Sequence, residues 1–456
     1  MGTARKRARR SAPERRRPAA RPAPPPETAR RVALRVIRRV VEEGAYSNLT
    51  LAGELGRSSL AERDRRLAAD LAYGTLRRLL RLDAEIEEAA GRGVGRIDRE
   101  ALAVLRLGVY QLRYTRIPPH AAVGETVGLA AAGRRGFVNA VLRRLAREAP
   151  AAAGGPSDES VSARTGLVPW AVEELGRVLP QHEVEAAAAA LASPAELSLR
   201  TNTCRRTRDD LLAALAAAGH PAEPGNHHPD VVRVPSATPA TLPGYREGWF
   251  AVQDEASAVV TAALEVRPGE RVLDACAGPG GKSSHLTCLA GEAGLVVAAD
   301  VSPARARLVR ATGERMGLRP LTVVQDARRP ATRSGFDAVL VDAPCSGLGS
   351  ARRRPELLWR PRREDESGLA RLQVAILSGA AAMVGPGGRL VYSVCTFPRA
   401  ETDAVVRAFL AKHVEFHPLE VHGPDGPATS HRLWPHRHGT DAMFFAAFRR
   451  AGDANR

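Results

Sequence analysis

Between residues 28 and 148 the apolar positions recur at spacings of three and four. In "RRVALRVIRRVVEEG", Val32, Val36 and Val40 form one row and Ala33, Ile37 and Val41 the next. Together they make an apolar helix stripe, and Gly44 is its stop signal. "ERDRRLAADLAYGTLRRLL" and "DREALAVLRLGVYQLRYT" repeat the pattern. "RIPPHAAVGETVGLA" reads as a proline-broken turn into a further helix, and "GFVNAVLRRLARE" as the last. The span 28–148 is therefore expected to be an all-helical domain with arginine-rich outer faces.

The period then changes. Residues 149–163, "APAAAGGPSDESVSA", have linker composition. Over 164–250, "WAVEELGRVL" and "RDDLLAALAAAG" read as helices, and "ELSLRTNT" and "VVRVP" as extended, which makes a small α+β module. From 251 to 450 strand and helix patterns alternate. "RVLDACA", "GLVVAADVS", "LTVVQDA", "FDAVLVDAP" and "GGRLVYSVC" are the strands. Such alternation predicts a doubly wound, Rossmann-like α/β sheet whose ligands sit at the carboxyl ends of the strands. Residues 1–27, rich in Arg, Pro and Ala, cannot pack a core and are expected to be disordered. Either a solubilising tail or a non-specific RNA-binding arm suits them. No apolar run reaches the ~18–20 residues of a membrane span.

Charge narrows the partners. The 456 residues carry a net +17, and the basic excess favours a polyanion, nucleic acid first. Almost all of it is arginine: the only lysines are Lys6, Lys282 and Lys412, so a lysine marks a place where a compact ammonium is needed. The cysteines, Cys204, Cys276, Cys288, Cys345 and Cys395, are odd in number and include no C-x-x-C pair. Neither a zinc site nor a secreted disulfide framework is expected, and a cytoplasmic protein without a metal, favoured as a monomer, is the reading.

"RVLDACAGPGGKSSHL" is a strand, a glycine turn and a helix. It is neither G-x-G-x-x-G nor a Walker A loop. The next strand ends in Asp300, an acid suited to a ribose diol, and the third leads to Asp326, near an adenine edge. Strand, glycine loop, acid and acid in this order describe an adenosyl site, most simply for S-adenosyl-L-methionine.

Cys345 and Cys395 each follow an apolar strand, on the sheet edge that carries the glycine loop. Cys204 and Cys288 read as small buried hydrophobes. Methyl transfer to C5 of cytosine calls for an activated thiol. C5 is a poor nucleophile until a thiolate attacks C6, and a base must later take the C5 proton so that the thiol can leave. A thiolate near neutral pH needs a positive or donor-rich setting.

"DACAGPGGK", "DAPCSGLG" and "YSVCTF" are similar to the motifs of RNA (cytosine-5)-methyltransferases. "AYSNLTL", "LRLGVYQLRYTRIPPHAAVGETV" and "GFVNAVLRRL" resemble the NusB-like domain fused to such enzymes, and "LWPHRHGTDAMFFAAF" resembles their terminus. Over about 28–448 the chain resembles the bacterial 16S ribosomal RNA (cytosine-5)-methyltransferase B family. It departs at Val394 and Thr396, where the family usually has Thr and Ser; at Gly278, where it has Ala; and at Ala442, where it usually has Gly. The resemblance implies a cofactor loop of Cys276, Ala277, Gly278, Pro279, Gly280, Gly281 and Lys282, with Asp300 on the ribose and Asp326 beside the adenine. Asp342 would lie near the methionine part and the target base, with Pro344 shaping the floor. It makes Cys395 the nucleophile and gives Cys345 the help in proton removal and release; Lys282 and Asp342 complete the catalytic set. The basic run "ARRRPELLWRPRR" suggests RNA contact through Arg352, Arg353, Arg354, Trp359 and Arg360. The implied partner is 16S ribosomal RNA. Alternatives are the same reaction on tRNA or another RNA, a non-catalytic RNA-binding, assembly or antitermination factor, and a DNA enzyme with Cys345 as nucleophile.

Overall fold

The structure is a computed structural model that describes residues 26–148, 160–235, 237–331 and 335–452. Almost all of the basic tail and most of the 149–163 linker lie outside the described residues, and the roles expected of the tail lie there with it.

Seven α-helices run between Ala29 and Arg147. The first, Ala29–Glu42, buries Val32, Ala33, Val36, Ile37 and Val40 completely, and Val41 in part. Valine and isoleucine cost up to about 0.7 kcal/mol each relative to alanine in a helix. Burying each side chain returns about 1.5–3 kcal/mol, so packing rather than propensity holds this helix. It ends just before Gly44, which takes φ +71° where a side chain would be strained.

The small module is a four-stranded antiparallel sheet. Its strands are β1 (Leu197–Thr201), β2 (Glu223–Pro224), β3 (Val231–Val234) and β4 (Phe250–Val252), in the order β2-β3-β1-β4. Leu199, Val232 and Phe250 pack on Leu211 and Leu215 of the helix Arg208–Ala217. The helices Pro169–Val178 and Val184–Leu191 instead bury Leu175, Ala187 and Leu191 against Leu348, Phe397 and Trp434 of the catalytic part.

The large sheet contains β5 (Arg271–Asp274), β6 (Leu295–Asp300), β7 (Leu321–Val324), β8 (Phe336–Asp342), β9 (Val384–Val394) and β10 (Phe416–Pro418). After a short ribbon of β11 (Val421–Gly423) and β12 (Gly426–Ala428) come β13 (Ser430–Leu433) and β14 (Met443–Arg450). The order is β10-β14-β9-β8-β5-β6-β7, with β13 also on β14. From β7 through β9 the pairs are parallel, as the alternation predicts. The sheet as a whole is mixed, because β14 enters antiparallel between β9 and β10. Its "MFFAAF" is buried at successive positions, as expected of a strand covered on both faces. The chain builds β6 and β7 to one side of β5 and then returns to place β8 on the other. The loops after β5 and β8 diverge there, which opens a crevice at the carboxyl edge.

Candidate active site

A cleft of about 1150 Å³ fills that crevice and extends to the helical domain. The loop after β5 passes through Cys276–Gly280 into the helix Gly281–Ala290, and Gly280 takes φ +107°. A Cβ on Gly278 would lie 2.6 Å from Arg305 Cβ and 2.7 Å from Asp300 Oδ2, so the backbone itself fills the space. Asp300, at the end of β6, accepts from Gly278 N (3.1 Å) and Ser302 N (2.8 Å). A carboxylate has about four acceptor sites, so two donors leave it capacity for ribose hydroxyls. Asp326 is two residues beyond β7 and lines the cleft, with its carboxylate held by Arg328 (2.6 Å). Burial keeps the Cys276 thiol protonated.

Lys282 Nζ lies 2.7 Å from Asp342 Oδ2, and Ser393 Oγ donates to Asp342 Oδ1 at 2.9 Å. The parallel register pairs Asp342 with Ser393, which puts both at one level of the sheet. Burial opposes charge on Lys282, but the Asp342 charge and hydrogen bond outweigh it, and its pKa is raised. Asp274, at the end of β5, is fully buried below the loop and accepts from Ser283 Oγ at 2.6 Å. Burial pushes its pKa up to about 6.

Cys345 and Cys395 leave neighbouring parallel strands, and their sulfurs are 3.4 Å apart. Gly349 N donates to Cys395 O (3.0 Å), and Ser346 and Thr396 share a 2.7 Å hydroxyl contact. These bonds stitch the two loops together. The pair is electrostatically unequal. A hydrogen bond from Cys345 holds the Cys395 pKa down, to about 6, against burial; Arg354 and a bond from Ser350 help, and Asp342 opposes. The same bond, burial and the charges of Cys395, Glu401 and Asp342 raise Cys345 well above the ordinary thiol value. The two opposite shifts favour the negative charge on Cys395 and the proton on Cys345. Of the other cysteines, Cys288 is partly buried and bonds Asn202 Oδ1 (3.2 Å), whereas Cys204 is exposed, against the expectation of a buried residue.

Most of the basic run is also bonded within the protein. Arg352 donates to Gly439 O (2.6 Å) and Thr440 O (3.2 Å). Arg353 binds Asp254 (2.6 Å) and Asp441 (3.3 Å). Trp359 Nε1 donates to Leu76 O (2.9 Å), and Arg360 to Val40 O (2.7 Å), Ala45 O (3.0 Å) and Gly44 O (3.1 Å). Arg77 answers from the helical domain with a 2.7 Å bond to Arg352 O. Helix-terminal carbonyls need donors, and this segment supplies them, clasping the helical domain to the catalytic one. Arg354 and Arg360 both line the cleft, and Arg354 stands beside Cys395 with its guanidinium 5.9 Å from the Tyr46 ring.

Sequence reasoning missed Asp274 and Ser393 as site residues, and it named Arg354 for RNA contact rather than as a neighbour of Cys395. Asp274 stands directly before the glycine loop, which was a usable signal. Among the described residues His228, Asp230 and His285 bring potential metal-ligand atoms within 4.8 Å of one another. His228 Nδ1 already accepts from Asp230 N (3.2 Å), and the charge of buried Arg200 disfavours a second cation there. No described helix is long and apolar enough to cross a membrane.

A mixed sheet in this order, with a glycine loop and acid at its carboxyl edge, is the fold of S-adenosylmethionine-dependent methyltransferases. Residues 261–449 match the family described as 16S rRNA methyltransferase RsmB/F, 27–147 the NusB family, and 169–241 the ferredoxin-like domain of RsmF/B-like methyltransferases. The chain is 36% identical to ribosomal RNA small subunit methyltransferase B of Pseudomonas putida, covering 89% of this chain and 95% of that one. The namesake in Salmonella arizonae is 34% identical, with 90% and 96% covered. The crystal structure of PH0851 superposes with a TM-score of 0.80 at 25% identity, over 92% of this chain and 98% of that one. The chain belongs to the RsmB/F methyltransferase family.

Proposed function

We propose that the protein methylates C5 of a cytosine in 16S ribosomal RNA, using Cys395 as a covalent nucleophile and S-adenosylmethionine as donor. The observation that carries this reading is the 3.4 Å thiol pair at the mouth of the cleft shared with the glycine loop, and the lowered Cys395 pKa supports it. The choice of 16S RNA rests on the names of the relatives.

The cradle without room for a Cβ at Gly278 fits the cofactor. Cys276 to Lys282 would hold it, with Asp300 on the ribose and the Asp326 side of the cleft on the adenine. When bound, S-adenosylmethionine supplies an electrophilic methyl group. Cys395 attacks C6 of an unstacked cytosine, and the electron pair displaced from the C5=C6 bond makes C5 nucleophilic. Asp342, held by Lys282 and Ser393, would face the base and accept a hydrogen bond from its exocyclic N4 amino group.

Attack also changes Cys345. As a thioether, Cys395 no longer accepts its hydrogen bond, the largest influence holding the Cys345 proton. That proton can then pass to water, and Cys345 becomes a base when one is needed. It takes the C5 proton; the C5–H pair re-forms C5=C6, the C6–S bond breaks, and Cys395 leaves as thiolate.

Transfer of tritium from methyl-labelled cofactor to RNA tests the enzyme reading, and no incorporation into any RNA would sink it. Bisulfite sequencing of RNA from a deletion strain tests the substrate. One 16S cytosine should lose its protection; retention of every 16S mark would overturn the choice.

A further inference from the structure

Behind the Cys345 loop lies a buried polar cluster that does not line the cleft. Glu401, in the turn Arg399–Glu401, and Gln373, in the helix Arg363–Ala381, are both completely buried. Glu401 Oε2 accepts from Ser346 N (3.0 Å) and from Gln373 Nε2 (2.9 Å). The same Gln373 nitrogen donates to Pro344 O at 3.0 Å. Tyr392, buried on β9, shares its hydroxyl proton between Glu401 O (2.7 Å) and Gln373 Oε1 (3.2 Å). The residues on both sides of Cys345 are therefore pinned from behind, one by its carbonyl and one by its N–H. Both hydrogens of the Gln373 amide are spent, so its orientation is fixed. Glu401 Oε1 has no hydrogen-bond partner among the described residues. A fully buried carboxylate with an unsatisfied oxygen costs stability.

We propose that Glu401 and Gln373 are positioning residues for product release, fixing the Pro344–Ser346 turn so that Cys345 Sγ meets both Cys395 and the C5 proton. The proposal rests on the release role given to Cys345 above. In the step concerned, the C5 proton moves to Cys345 sulfur, the C5–H pair forms C5=C6, and the C6–S bond pair returns to Cys395. Attack by Cys395 does not pass through this cluster, so loosening it slows release and spares attack.

The variants are Gln373→Met, which removes both donors at similar length, and Glu401→Ala. Glu401→Gln is the conservative control: its amide oxygen can keep both bonds, with the NH2 where Oε1 has no partner. Each is incubated with cofactor and ordinary RNA, and separately with 5-fluorocytosine RNA, which traps any attack by the nucleophile. Gln373→Met and Glu401→Ala should retain covalent RNA at least about fivefold above wild type on ordinary RNA, the low end expected when a buried hydrogen bond is lost. They should trap 5-fluorocytosine RNA within about twofold of wild type, and Glu401→Gln should release normally. The proposal is overturned if both disruptive variants release like wild type, or if both lose fluorocytosine trapping together with their cooperative melting. Cys345→Ala runs alongside. If it too fails to retain ordinary RNA, the release role of Cys345 has failed; if it retains RNA and the other two do not, the clamp alone has failed.

Discussion

Replacing Cys345 by alanine removes the largest influence holding Cys395 as a thiolate. A hydrogen bond to a charged group is worth about 1.5–3 kcal/mol, and 1.36 kcal/mol is one pKa unit, so the Cys395 midpoint should rise by about 1–2 units. From about 6 it would move to about 7–8. The assay is alkylation of Cys395 by iodoacetamide as a function of pH, read by mass spectrometry on the peptide that contains it. The midpoint is the quantity to compare, not the rate at one pH. At pH 7 a shift to about 7.5 would cut the thiolate fraction from about 90% to about a quarter. A thiolate of higher pKa is also the better nucleophile, with a Brønsted slope of about 0.4–0.5, which offsets that loss fully, so the rate at pH 7 would hardly change. A midpoint that stays at about 6 in Cys345→Ala would refute the assignment of donor and acceptor within the pair.

Arg354→Gln should raise the same midpoint by less, since Arg354 ranks below the Cys345 bond among the influences on Cys395; a larger shift than that of Cys345→Ala would contradict this order. Gly278→Ala forces a Cβ against Asp300 and Arg305. Overpacking costs about 1–3 kcal/mol, so calorimetry should show S-adenosylmethionine binding at least about fivefold weaker, and unchanged affinity would place the cofactor elsewhere. Trp359→Ala should lower the cooperative melting point and expose the junction between the helical and catalytic domains to protease, because the indole spans both cores. Wild-type methylation should rise with pH through about 6 as Cys395 ionises; activity that falls over that range would need another nucleophile.

What the sequence disclosed follows from what each residue touches. The helix Ala29–Glu42 was legible because its stripe is local and its stop is a glycine with positive φ. Lys282 stood out by its rarity, and its partner Asp342 only through the family resemblance; the fold closes them to 2.7 Å. The two cysteines were legible as strand-end thiols. Their separate roles came only through the resemblance, and their electrostatic inequality was hidden, since it depends on a 3.4 Å contact between residues 50 positions apart. In the run 351–363 the internal role was hidden, because arginine composition does not reveal its acceptors. Those of Arg360 are backbone carbonyls more than 300 residues away, and carbonyls carry no sequence signature. Glu401 and Gln373 were invisible for the same reason: an ordinary Glu in a turn and Gln in a helix acquire their role only where three elements meet behind Cys345.

The central claim is that Cys395, and not Cys345, bonds to the cytosine. Its most direct test is to trap the wild-type protein on 5-fluorocytosine-containing 16S RNA with S-adenosylmethionine, digest both components, and locate the nucleotide by tandem mass spectrometry. The account predicts the nucleotide's mass on the peptide carrying Cys395, with Cys345 unmodified. The same mass on Cys345 would contradict it.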